Sequence, residues 1–220
     1  MDKEEFLLAL DVSTSTIGIA LFQDLGDKGD LKFLKHVSPK VKPQPESKME
    51  ELFKKVEIFE EEFLKKYVNF GITSVVIEEP LLQANNVYTV ATLLRFNGMI
   101  AKSVYDTLGI VPEFISSYDA RKYAFPELMA KRTTKKDGTP KKPKDIEKSD
   151  PVLFGAYPFD VDKKYVLWEK VNELEPTITW FYDKNNKLKK ETFDTSDAYT
   201  AGRGYMNKIG KWPISAPVTK

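Results

Sequence analysis

Phe6-Leu7-Leu8-Ala9-Leu10 is a run of five apolar residues that ends on a carboxylate, Asp11, and is followed by Val12-Ser13-Thr14-Ser15-Thr16-Ile17-Gly18-Ile19-Ala20. Unbroken apolar character bounded by polar residues reads as a strand buried on both faces. A carboxylate at the end of such a strand costs free energy unless something pairs with it or binds there. Residues 13–16 make a turn rich in hydroxyls, and Gly18 lets the next strand begin without a side chain near that turn. Two roles are open to Asp11. It can accept hydrogen bonds from the Ser/Thr turn, or it can join other carboxylates that arrive at the same place.

Working outward, residues 17–23 alternate Ile17, Ile19 and Leu21 with smaller side chains and read as a second strand. The turn cluster Asp24-Leu25-Gly26-Asp27-Lys28-Gly29-Asp30 and a third strand at 31–37 complete an antiparallel hairpin. After a link punctuated by Pro39 and Pro45, Met49, Leu52, Phe53, Val56, Phe59, Phe63, Leu64 and Tyr67 recur at helical spacing. The Glu and Lys residues between them read as a solvated face. Ser74-Val75-Val76-Ile77 is a second buried strand, and it too ends in acid, at Glu78-Glu79-Pro80. Strand, crossover helix and strand predict a parallel pair. If the pair are neighbours, Asp11 and Glu78 emerge at one sheet edge on strands about 4.8 Å apart. That edge is where open sheets bind ligands. Alternation along the strand sends Glu79 to the other face.

A long helix over 87–108 carries Val90, Leu93, Leu94, Met99, Ile100, Val104 and Leu108. Its Ala91, Gly98 and Ala101 allow close approach, either of the sheet or of a second subunit. Gly109 stops it, residues 111–115 read as a fifth strand, and Ser116-Ser117-Tyr118-Asp119 opens a short capped helix bearing Arg121 and Lys122. Between 131 and 148, eight basic residues face three acids, and Gly138, Pro140 and Pro143 predict a mobile basic loop or insertion without helix. It serves either as a solvated linker or as a phosphate-backbone contact. Residues 162–174 read as a helix with Lys163 and Lys164 in its first turn, and 177–182 with 188–193 flank a hairpin turn at 183–187. The last helix is expected to open at Asp194-Thr195-Ser196-Asp197-Ala198, with both acids on one face and Ala198 and Ala201 keeping it slim. As purely local features, Asp194 is an N-cap and Asp197 a partner of the helix dipole.

Composition narrows the chemistry. Apolar and charged fractions of 41% and 30% fit a globular domain, and there is no run of eighteen apolar residues that would predict a membrane span. With no cysteine and one histidine, His36, thiolate sites and a His-based triad are poorly served. The net charge of +1 confines any nucleic-acid surface to a local patch. The acidic start lacks a signal-peptide pattern, so a cytoplasmic location is the default expectation. Residues 1–212 read as one domain and 213–220 as an irregular tail.

What remains is carboxylates: Asp11, Glu78, Asp194 and Asp197. An all-oxygen set selects Mg²⁺ or Mn²⁺ over zinc. With two such ions about 4 Å apart it would hydrolyse phosphodiesters without a histidine or serine nucleophile. The strand ending in Asp11, the Val76-Ile77-Glu78-Glu79 strand end and the late Asp194-x-x-Asp197-Ala198 resemble the RuvC-type Holliday junction resolvases of the RNase H-like superfamily. The element order from Phe6 to about Tyr205 matches as well. The resemblance implies an α/β fold with an RNase H-like mixed five-stranded sheet flanked by helices, with the basic insertion and an extra hairpin before the last helix as additions. It implies four acids holding two Mg²⁺ ions, a homodimer, and cleavage of four-way DNA junctions. It places Lys163 and Lys164 on the scissile phosphate, with Arg121 and Lys122 as further DNA-binding candidates. One departure concerns Leu81, which stands where relatives can carry a base-stacking aromatic.

Three other readings stay open on sequence. RNase H or a YqgF-like RNA-processing factor would share the first hairpin. An actin/sugar-kinase-type nucleotide-binding protein would use residues 11–16 as a phosphate loop. A non-enzymatic junction-binding protein would need none of the acids.

Overall fold

Strand β1 (Glu5–Val12) is the middle of a five-stranded sheet of order β3-β2-β1-β4-β5. The computed structural model describes residues 4–43, 45–80 and 86–213. Leu81 and residues 214–220 of the expected tail lie outside them. Strands β2 (Ile17–Asp24) and β3 (Gly29–Val37) form the antiparallel hairpin with β1, and β4 (Ile72–Glu78) and β5 (Glu113–Ile115) run parallel to it. The fifth strand is shorter than the expected 111–115.

Period-two alternation along β1 divides the core into two layers. Phe6, Leu8, Leu10 and Val12 pack with Ile17, Ile19, Leu21, Val75 and Ile77 on one face. That face is covered by α1 (Lys48–Phe59) and α3 (Val87–Leu108). Between them, α1 runs through a π-helical stretch, Glu60–Leu64, into the short α2 (Lys65–Tyr67), and Phe63 and Leu64 are buried there. Leu7, Ala9, Ala20, Phe22 and Val76 face the opposite layer. That layer holds α4 (Ser117–Ala124), α6 (Lys163–Leu174) and α7 (Lys190–Lys208). By the same alternation Asp11 and Glu78 point to the α7 side.

Small residues let α7 lie directly on the sheet. A Cβ on Gly202 would meet the Phe22 ring at 2.7 Å and the Ala9 Cβ at 2.8 Å. A Cβ on Gly18 would stand 2.5 Å from the Asp194 carbonyl carbon. Glycine at 18 is therefore required by the helix that crosses it, more than by the turn beside it.

Three sequence expectations are corrected. The last helix opens at Lys190, so Asp194 is one turn inside it and caps nothing. The 188–193 strand is absorbed by that early start. What remains of the hairpin is a single bridge between Tyr182 and Leu188 around the 183–187 turn. Residues 131–148 are not a loop without helix. They contain α5 (Pro143–Lys148), where Pro143 at the first turn starts the helix because its missing N–H is not needed there. The two-stranded β6 (Met129–Ala130) and β7 (Val152–Leu153) close the base of this segment. Among the described residues no helix is long and apolar enough to cross a membrane.

Gly202→Ala should lower stability by about 1–3 kcal/mol, the usual cost of overpacking. Gly98→Ala, in the interior of α3 with nothing within 4 Å of the new methyl, should raise it by about 0.5–1 kcal/mol through lower unfolded-chain entropy. Urea denaturation midpoints of the two variants check both signs.

Candidate active site

Four carboxylates from three elements converge at the end of the sheet. Asp11 is paired across the hairpin with Gly18, and Glu78 is the last residue of the neighbouring β4. Asp194 and Asp197 come from the second turn of α7 and are only 2% and 5% exposed. Burial, with Asp197 and Asp194 adding their charge, pushes the Asp11 carboxyl well above the usual range. Burial does the same to Glu78, aided by Asp197 and Asp11. Asp194 is also raised, mainly by burial, although Lys190 and Lys164 work against it.

Three cations answer these charges. Lys164 Nζ lies 3.3 Å from Asp197 Oδ2 and 3.7 Å from Asp194 Oδ1. Burial opposes its charge, but Asp197, Asp194 and Asp11 outweigh that and hold its pKa above the ordinary lysine value. Arg121 reaches Asp197 Oδ1 at 3.5 Å. Lys190 Nζ lies 3.8 Å from Asp194 Oδ2 and 2.6 Å from Ser15 Oγ. Asp194 Oδ2 itself is buried and accepts no hydrogen bond.

The turn after β1 does not satisfy Asp11. Ser13 Oγ donates to the Thr16 carbonyl and accepts from the Thr16 N–H, so the turn closes on itself. Two further side chains fix its position. Lys55 of α1 is buried, pairs with Glu51 at 2.6 Å and donates to the Thr14 carbonyl at 2.7 Å. Asn97 of α3 donates to the Val12 carbonyl at 3.3 Å.

Of the eight residues singled out from sequence, the structure brings six together: the four acids, Lys164 and Arg121. Lys163 instead lies over the Phe154 ring, and Lys122 over Tyr123. Lys190, Lys55 and Asn97 were missed. Lys190 is four residues before Asp194, a helical pairing hidden while the helix was expected to start later. Lys55 sits between Leu52 and Phe59 on the apolar stripe of its helix, so it did not belong to a solvated face. Asn97 likewise interrupts an apolar stripe next to Phe96.

The oxygen-only donor set, the Asp194 Oδ2 that accepts no hydrogen bond and the raised Asp11 and Glu78 carboxyls all mark a site short of positive charge, which suits a hard divalent cation. The acids do not form a ready cage. Among the described residues no group of three acids or histidines is spaced to hold a metal ion. Lys164 is drawn between the two α7 carboxylates.

No protein-family model matches the chain, and no curated protein matches it. Solved structures do. Thermus thermophilus RuvC superposes with a TM-score of 0.52 at 12% identity, over 94% of this chain and 97% of that one. The same protein in complex with Holliday junction substrate gives 0.52 at 11% identity over the same shares. The yeast mitochondrial Holliday junction resolvase Ydc2 gives 0.50 at 11% identity, over 93% of this chain and 79% of that one. At such identities the likeness establishes architecture: over nearly its whole length, this chain has the fold of the RuvC-type resolvases.

Proposed function

We propose that the chain is a divalent-metal-dependent endonuclease that cuts DNA at four-way junctions. The observation that carries the reading is the meeting of Asp11, Glu78, Asp194 and Asp197 at one sheet end in a RuvC-type fold. These four residues would hold the cations. When bound, a pair of Mg²⁺ ions supplies a low-pKa water and a counter-charge for the leaving oxygen. The chain's own residues do the rest. Lys164 and Arg121 already face the carboxylates and would turn their donors to the scissile phosphate as the acids take up metal. Lys190 would hold the 13–16 turn through Ser15. Lys55 and Asn97 would keep the backbone that follows Asp11 in place, through the Thr14 and Val12 carbonyls. Junction DNA as substrate is supported by the fold shared with a RuvC that has been seen on a Holliday junction.

A homodimer through α3 is part of the proposal. The first turn of that helix leaves Val87 79% and Tyr88 85% exposed, with Leu94 beyond them also open. Apolar exposure of this kind on a helix end suits a subunit contact. Sedimentation should show a dimer, and Leu94→Glu should shift it to monomer.

Asp197→Asn should keep junction binding and lose cleavage in Mg²⁺ by more than about a hundredfold, since even outer-shell partners of a metal cost up to that much. Gel assays with labelled four-way junction and linear duplex check it. Retained cleavage removes Asp197 from the site.

The raised carboxyls give a signed pH dependence. A carboxyl whose folded pKa exceeds its unfolded value stabilises the fold fully below the unfolded pKa, about 4, and loses that contribution as pH rises toward the folded value. In chelator, stability should therefore fall as pH climbs above about 4. Asp11→Asn should flatten that fall and raise the urea midpoint at neutral pH. Mg²⁺ should restore stability to the unaltered protein at neutral pH and do less for Asp11→Asn.

A further inference from the structure

We infer that the segment from β6 to β7 is a rigid, sequence-indifferent clamp for the phosphate backbone of a double-stranded DNA arm. The inference rests on the nuclease reading for the identity of its partner and extends it to a surface outside the carboxylate site.

The segment has a fixed backbone. β6 and β7 pair at its base, and a Thr134–Pro140 bridge closes an inner hairpin around the Asp137-Gly138 turn. Lys135 and Lys141 donate their backbone N–H groups to the Thr139 and Thr133 carbonyls. Arg132 ties the hairpin to the chain that follows. It donates to the Tyr157 carbonyl at 2.7 Å and the Phe154 carbonyl at 2.9 Å, and its guanidinium lies 4.0 Å from the centre of the Phe159 ring. Lys131 reaches the Glu147 carbonyl of α5. The ordering cost of this surface is met in folding and is not charged to binding.

The charge is concentrated and unspent. Residues 131–148 hold eight basic and three acidic side chains in a chain of net charge +1, so the remainder is net negative. Lys135, Lys136, Lys142 and Lys144 are exposed. None of them has an ion-pair partner among the described residues, in contrast to Lys164 and Arg121. Asp137 is occupied by the Thr139 N–H and hydroxyl.

The chemistry favours duplex over single strand. Binding unpaired bases takes exposed aromatic platforms for stacking. Residues 131–148 contain no aromatic side chain, and Phe159 beside them, 44% exposed, already has Arg132 stacked on its ring. Lysines alone read phosphate and not sequence. The surface is also joined to the site along the chain. A cleft of about 540 Å³ lies between the hairpin tip, at Thr133, Thr134 and Lys136, and the stretch through Tyr157 and Phe159. That stretch leads within a few residues to Asp162, which caps α6 and so positions Lys164.

The test compares the intact chain with two quadruple variants of Lys135, Lys136, Lys142 and Lys144, one to Ala and one to Arg. Binding is measured in chelator, against salt, on a long-armed four-way junction, a linear duplex and a single strand. The Ala variant should bind junction and duplex at least about tenfold more weakly at physiological salt, with a salt slope shallower by about 2–3, since each phosphate contact contributes about 0.9. The Arg variant should keep affinity and slope. An unchanged slope in the Ala variant, or an Arg variant as weak as Ala, overturns the clamp. An equal loss on single strand overturns its assignment to duplex. Cleavage by the intact chain in Mg²⁺ is scored separately. An intact chain that binds duplex through these lysines but never cuts a junction sinks the nuclease reading and leaves the clamp. One that cuts junctions while the variants bind unchanged does the reverse.

Discussion

The contact of α7 with the β1–β2 hairpin, backbone against backbone at Gly18, is the constraint on which the structure depends. Gly18 is the cross-strand partner of Asp11, and the group it makes room for is the carbonyl of Asp194. One missing side chain therefore brings together acids from the first strand and the last helix. Gly202 repeats the approach over Ala9 and Phe22. Asp197 follows from helical geometry, because three residues after Asp194 returns to the same face. Glu78 follows from the parallel register of β4 on β1, where Leu10 lies beside Ile77.

Such proximity is expensive. Buried like charges raise one another's pKa, and the fold does not relieve this by spreading the acids apart. Instead each helix on that face delivers a cation: Arg121 from α4, Lys164 from α6, Lys190 from α7. Three cations facing four carboxylates leave a deficit, and the buried Asp194 Oδ2 that accepts no hydrogen bond is its local sign. A protein selected for stability alone would replace this cluster with apolar side chains, as buried ion networks often tolerate. Its retention beside an otherwise regular two-layer core is the expected mark of a functional site.

Legibility from sequence followed the range of the interaction. β1 and β4 were readable because burial on both faces leaves an apolar run that needs no partner to be recognised. Their parallel pairing followed from the connecting helix. The start of α7 was not readable, because Lys189-Lys190-Glu191-Thr192 carries no capping side chain and no apolar periodicity. Without that start, Asp194 resembled a cap and Lys190 a loop charge. Lys55 and Asn97 were hidden for another reason. Their partners are backbone carbonyls of Thr14 and Val12, distant in sequence and invisible to any pattern of side chains. The basic segment was misread because its order comes from Arg132 bonding to carbonyls more than twenty residues on.

An acidic sheet end poses a problem for any polyanionic substrate. A chain of net charge +1 exerts little long-range pull, and within a Debye length of about 8 Å the four carboxylates repel a phosphate. The cations at the site are already engaged by those carboxylates, so little of their charge is left to draw in a phosphate. Attraction must then come from charges that are both exposed and unpaired, and close enough to act on the same duplex. Residues 131–148 meet the first two conditions, and the third is part of the proposal, since the chain runs from them to the cap of α6. Under the proposed nuclease reading, catalysis and capture call for opposite signs of charge. Placing them on separate elements lets each keep its own sign.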